Sequence, residues 1–139
     1  MSREVGNQNG CGERRNRRSI GTEWEQRASE YLESHGMRIQ ERNYRNRQGE
    51  IDIIGNHNGY LVFVEVKYRE NTEKGYASEA VDYRKQCRIC KVADYYRYTH
   101  GIGNKTGIRY DVVAIQGGRI QWIQNAFPHI ETRNKQRWK

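Results

Sequence analysis

Asp52, Glu65 and Lys67 are the residues whose types and spacing could do chemistry together. Glu65 and Lys67 stand two apart at the end of the apolar run Leu61-Val62-Phe63-Val64. Asp52 lies on the other side of His57-Asn58-Gly59-Tyr60, a strong turn signal, because a type I′ turn needs φ > 0 at both central residues and Asn-Gly meets that need cheaply. With Asn58 and Gly59 as the turn, Asp52 is expected directly across from Glu65 and Glu50 across from Lys67, and side-chain alternation puts 61, 63, 65 and 67 on one face. Two carboxylates facing each other across strands repel. A divalent cation between them is an economical offset, since Mg²⁺ typically takes one or two carboxylates and keeps several waters. Lys67 would then sit beside the metal, where it could orient a water, help deprotonate it, or neutralise charge on a phosphate. The plainer reading makes Glu65 and Lys67 a solvated strand end, with Asp52 paired to an Arg. The apolar run before Glu65 argues against it, because a strand buried on both faces seldom points paired charges at a covering layer without purpose.

The elements that must position these residues follow from periodicity. Trp24, Ala28, Tyr31 and Leu32 predict a helix over about 22–35, closed by Gly36. Residues 37–44 read as a polar, edge-like strand, and the stretch around the Asn-Gly turn supplies two more. After a polar loop (70–75), a second helical region is predicted over about 77–99, with Asp82 as a cap and Ile89, Cys90, Ala93 and Tyr96 inward. A Gly-rich loop (100–107) leads to a hairpin, 108–115 and 119–124, turning at Gly117-Gly118. The expected fold is α/β, a central mixed sheet flanked by helices in the order αβββαββ.

The chain has 139 residues, the size of one domain. Net charge is +8, which suggests a polyanionic partner. Its distribution weakens that inference for the domain. Residues 1–20 hold five Arg against Glu4 and Glu13, and residues 131–139 hold two Arg and two Lys against Glu131. The expected organisation is a basic N-terminal tail (1–20), a domain (21–130) and a basic C-terminal tail (131–139). No stretch approaches the roughly 18 apolar residues of a membrane span, and the polar N-terminus does not resemble a signal peptide, so a soluble cytoplasmic protein is expected.

The three cysteines, Cys11, Cys87 and Cys90, do not suggest a disulfide framework. Cys87-x-x-Cys90 falls inside the second helix rather than at its start, where a redox thiolate would be stabilised, and reads as small core residues. Arg84, Arg88 and Lys91 make a basic stripe on that helix, beside Lys85 and Gln86, and Arg42, Arg45 and Arg47 make a basic loop before Glu50. Either group could grip phosphates. The bland alternative is a solvated face.

Taken in order, Gly21-x-x-x-Glu25-x-x-Ala28, Arg42-Asn43, Gly49-Glu50-Ile51-Asp52, Val62-Phe63-Val64-Glu65-Val66-Lys67, Lys85-Gln86, Arg109-Tyr110-Asp111-Val112-Val113 and Asn125-Ala126-Phe127 closely resemble the YraN-like family of uncharacterised bacterial proteins. That family looks like a member of the restriction-endonuclease-like superfamily and is similar to archaeal Holliday junction resolvases, whose site is an Asp on one strand and Glu-x-Lys on the next. The resemblance implies a Mg²⁺- or Mn²⁺-dependent endonuclease hydrolysing phosphodiester bonds of DNA, in preference to RNA, with branched or processed DNA among its substrates. Asp52, Glu65 and Glu25 would hold metal, and Lys67 would position the attacking water. Glu25 matches the family's helix glutamate, although Thr22-x-x-Glu25 is also a capping box. One departure is Ile51, where the superfamily usually has Pro before the Asp. The alternative function is a non-catalytic nucleic-acid-binding module on the same fold. A homodimer is among the assemblies the sequence allows.

Overall fold

The computed structural model describes residues 23–70 and 81–131. Both basic tails up to Thr22 and from 132 onward, most of the 70–75 loop, residues 77–80 of the second predicted helix, and Cys11 lie outside the described residues. Helix α1 is described over residues 23–34. Its end is set by Gly36 at φ +103°, after which the Met37 N–H returns to the Leu32 carbonyl at 3.0 Å. The strands are β1 (Arg38–Asn46), β2 (Gly49–His57), β3 (Tyr60–Arg69), β4 (Ile108–Gln116) and β5 (Arg119–Phe127), with helix α2 (Tyr83–Thr99) between β3 and β4. This is the expected αβββαββ order. Strands β1 and β5 run two or three residues past their predicted ends, because each continues pairing with its neighbour.

The five strands form one mixed sheet in sequence order, and only β3 and β4 pair in parallel. A parallel pair needs a crossover, and the chain segment carrying α2 provides it. The two faces of the sheet are covered by different helices. Ile54, Leu61 and Phe63 pack with Ile89, Cys90, Ala93 and Tyr96 of α2. Ile53, Val62 and Val64 pack with Ala28 and Leu32 of α1. Strand β3 is therefore buried on both sides, which is why Leu61 to Val64 can be continuously apolar. Cys90 is fully buried in the α2 layer, and Cys87 is half-buried; both are free thiols. Tyr31, expected to face inward, is only partly covered and stacks on His35. Among the described residues, no helix is long and apolar enough to cross a membrane.

Candidate metal and phosphate site

Asn58 and Gly59 form the predicted turn, with φ of +52° and +83°. The β2–β3 register also follows the prediction, from His57↔Tyr60 to Ile53↔Val64. There the ladder stops, one position short of Asp52 and Glu65. Had it continued, Val66 would have exchanged both main-chain bonds with Ile51. Instead the Val66 N–H donates to Asp52 Oδ2 at 2.8 Å. A residue's N–H and C=O face the same neighbouring strand, so the Val66 carbonyl also lies on the Asp52 side. The two strands part at the carboxylates, and the gap holds polar atoms from both.

Side-chain parity alone does not describe this region. Ile51 and Ile54 both pack toward α2, whereas Ile53 packs toward α1, so the alternation assumed for β2 breaks around Asp52. Its neighbour on β1 is irregular too, because Asn43 has φ +57°. Glu50, expected across from Lys67, instead pairs with Arg45 of β1 at 2.8 Å.

Glu65 is buried, and its Oε2 receives two ammonium groups. Lys85 Nζ is 3.0 Å away and Lys67 Nζ is 3.5 Å away. Asp52 is half-buried, and its carboxyl is pushed up to about 7 by burial first and by the Glu65 charge second, with Glu25 and Glu50 adding to the effect and the Val66 N–H opposing it. Glu25 is likewise held above its ordinary value: burial raises it most, Arg42 and an Asn43 hydrogen bond offset part of that, and Glu50 and Glu65 push further upward. The structure thus brings Glu25, Asp52, Glu65 and Lys67 into one electrostatic field. Among the described residues, no three His, Cys, Asp or Glu side chains form a group able to hold a metal ion. The oxygens that could hold a cation here are those of the Asp52 and Glu65 carboxylates, with the Val66 carbonyl a candidate third. That set fits a hard divalent cation that keeps several waters.

The basic residues separate into three groups. Arg42 and Arg45 belong to strand β1 and only Arg47 to the following turn, so the predicted basic loop is mostly strand, because β1 extends to Asn46. Arg42 donates to Gln26 of α1 at 2.7 Å, and its charge also acts on Glu25 of the same helix. On α2, Arg84 and Arg88 are exposed and Lys91 is partly so, with the Arg88 stem lying over Gly49. Gln86 donates its amide to the Val81 carbonyl at the helix start. Sequence position groups Lys85 with these basic residues of α2, but its ammonium lies at Glu65, 3.0 Å from Oε2. Its pKa is raised: burial lowers it, but the Glu65 charge and hydrogen bond outweigh that. Its place three residues after the Asp82 cap puts it in the first turn of α2, but no sequence signal says where along β3 that turn lands.

A second polar cluster lies at the far end of β3. Arg109 makes a two-pronged pair with Asp111 at 3.0 and 2.8 Å and donates to His57 Nδ1 at 2.9 Å. Asp111 also accepts from Trp122 and from the Asn125 N–H. All of Asp111's contacts are satisfied inside the fold, which makes the cluster a buried anchor for β5 and the β2–β3 turn.

Fold and site together define an α/β protein with a carboxylate pair where the central strands of its sheet part. The chain belongs to a family described as Uncharacterised protein family UPF0102, whose model matches residues 24–115. It is similar to the UPF0102 protein of Lachnoclostridium phytofermentans, 47% identical over 112 residues that cover 81% of this chain and 95% of the relative. UPF0102 proteins of Fusobacterium nucleatum (43% over 110 residues, 79% and 92% covered) and Persephonella marina (44% over 107 residues, 77% and 91% covered) are similar to it as well.

Proposed function

We propose that the protein is a Mg²⁺- or Mn²⁺-dependent nuclease acting on DNA in preference to RNA. The observation that carries this reading is the placement of Asp52 and Glu65 together at the parting of β2 and β3, with Lys67 on the same carboxylate. An Asp on one strand and Glu-x-Lys on the next is also the site pattern of the restriction-endonuclease-like superfamily, which the chain resembles.

In this reading Asp52 and Glu65 hold the cation, with the Val66 carbonyl as a third oxygen and Glu25 holding a water or a second ion. When bound, the cation would polarise the scissile phosphate and lower the pKa of a water near it. Asp52 remains where the Val66 N–H fixes it. Lys67 orients the attacking water and balances charge that develops on the phosphate. Arg84, Arg88 and Lys91 of α2, with Arg47, would meet phosphates further along the strand.

The test is cleavage of a panel of branched and linear DNAs by the purified protein in Mn²⁺ and in EDTA, with Glu65→Ala alongside. Metal-dependent cleavage lost in the variant is the expected result. DNA binding without cleavage under any condition would leave a non-catalytic binding module instead.

A further inference from the structure

Glu65 presents one oxygen to two cations. Lys67 is carried by the same strand two residues on, and its ammonium is beyond hydrogen-bond distance at 3.5 Å. Lys85 reaches in from α2 and makes the closer contact, 3.0 Å to the same Oε2. Its backbone is fixed, because the Lys85 N–H donates to the Asp82 cap at 2.9 Å and α2 packs on the sheet. Its side chain is the more exposed of the two lysines, 36% against 23%, so a route outward toward solvent is open to it.

Both ammonium groups sit on Oε2, so a divalent cation that takes this oxygen competes with them for the same lone pairs. The more weakly held or more mobile ammonium is the one such a cation would displace. Of the two side chains, Lys85 is the more exposed, and its flexible stem has more room to withdraw toward solvent than that of Lys67.

We propose that Lys85 is a built-in stand-in for the metal, holding Glu65 until a divalent cation displaces its ammonium, which is then free to contact a phosphate of the bound strand. This rests on the metal-site reading above and adds a coupling to it: metal entry supplies the site with an extra phosphate contact. Lys85 is therefore a positioning residue for Glu65 in the metal-free protein and a substrate contact in the loaded one.

The experiment reads binding, not cleavage. Mn²⁺ affinity is measured by the electron paramagnetic resonance signal of free Mn²⁺ for wild type, Lys85→Met and Lys85→Arg, each first shown to melt cooperatively. Affinity for a short DNA is measured with and without Ca²⁺. Removing the competitor should tighten Mn²⁺ binding by roughly 2- to 5-fold in Lys85→Met, the upper part of the range for a partly exposed ion pair. Lys85→Arg, which keeps the cation, should stay close to wild type. The gain in DNA affinity that Ca²⁺ gives wild type should shrink in Lys85→Met. Unchanged or weaker Mn²⁺ binding in a folded Lys85→Met overturns the proposal, as does equal tightening in Lys85→Arg. Wild type that binds no Mn²⁺ overturns it together with the metal site. Wild type that binds Mn²⁺ yet cleaves no DNA overturns the nuclease reading alone.

Discussion

Asp52 accepts the main-chain N–H of Val66 at 2.8 Å, in the place where a continuing ladder would have put the Ile51 carbonyl. The sheet gives up two regular bonds there and gains a fixed carboxylate beside Glu65. Such an arrangement weakens the metal-free fold if the carboxylates serve a cation, and that cost can be measured.

Asp52→Asn keeps an oxygen for the Val66 N–H and removes a charge. The Asp52 carboxyl is raised from 3.8 to about 7, so between those values the folded protein holds a proton that the unfolded chain releases. Stability therefore falls as pH rises through that window. In EDTA at pH 8 the variant should be more stable than wild type by about 1 to 3 kcal/mol, since each tenfold change in proton affinity is worth about 1.36 kcal/mol and coupling to Glu65 discounts the sum. Near pH 3.8 the difference should vanish. Urea unfolding across pH checks this, and a variant less stable than wild type at pH 8 would show that the ionised Asp52 stabilises the fold.

Saturating metal should reverse that order. A ligand that binds only the folded state contributes about 2.7 kcal/mol at one hundred times its Kd. Wild type should gain that amount in Mn²⁺ while Asp52→Asn gains much less. Equal gains in the two proteins would place metal binding elsewhere.

Glu65→Ala and Lys67→Ala should each lower cleavage by roughly 100-fold or more, the usual loss on removing one charge-stabilising group, and retain most DNA affinity. Glu65→Ala should also abolish the Mn²⁺ gain in stability, whereas Lys67→Ala should keep it. Normal cleavage in either variant, with contaminating nuclease excluded, would refute the roles given to them.

His57 sets a different pH limit. Arg109 only donates, so His57 Nδ1 must accept and the ring must be neutral. Burial and then the Arg109 charge lower its pKa from 6.5. The unfolded chain then binds the proton more readily, and stability is lost as pH falls below about 6.5. This runs opposite to the Asp52 effect. His57→Gln should flatten the loss in unfolding experiments between pH 7 and 5; a slope as steep as in wild type would assign it to other groups.

Six of the eight net charges lie in residues 1–20 and 131–139. Deleting 1–19 and 131–139 should weaken DNA binding and reduce the slope of log affinity against log salt. An unchanged slope would exclude those segments from the contact.

Much of the fold is legible in the sequence because it is written in local patterns. Asn58-Gly59 specifies the turn, the uninterrupted Leu61 to Val64 marks β3 as central, and Gly117-Gly118 places the last hairpin. The Asp52, Glu65 and Lys67 grouping follows from that first turn. What is not legible depends on departures from regularity and on long-range docking. Parity arguments assume an unbroken strand, and the positive φ of Asn43 with the early end of the β2–β3 ladder breaks that assumption beside Asp52. Lys85 cannot be placed at Glu65 from sequence, because periodicity gives the inward face of α2 but not the position along β3 at which its first turn lands. Arg42 reads as a loop cation, since nothing local shows that Gln26 of α1 takes its guanidinium.

The parallel pairing of β3 with β4 also orders events as the chain folds. The β2–β3 hairpin closes over a two-residue turn, while Glu65 meets its β4 neighbour Val112 only after the whole crossover has been traversed. Contacts of short sequence separation form early and long ones late. By that rule the acidic pair would be assembled before α2 brings Lys85 to it, and for that interval Lys67 of the same hairpin would be the lysine that offsets the repulsion. Relieving it should speed folding in Asp52→Asn, whereas loss of the late-arriving Lys85 should register mainly as faster unfolding. Chevron plots of the two variants, compared with wild type, would separate an early acidic hairpin from one that forms together with its lysine.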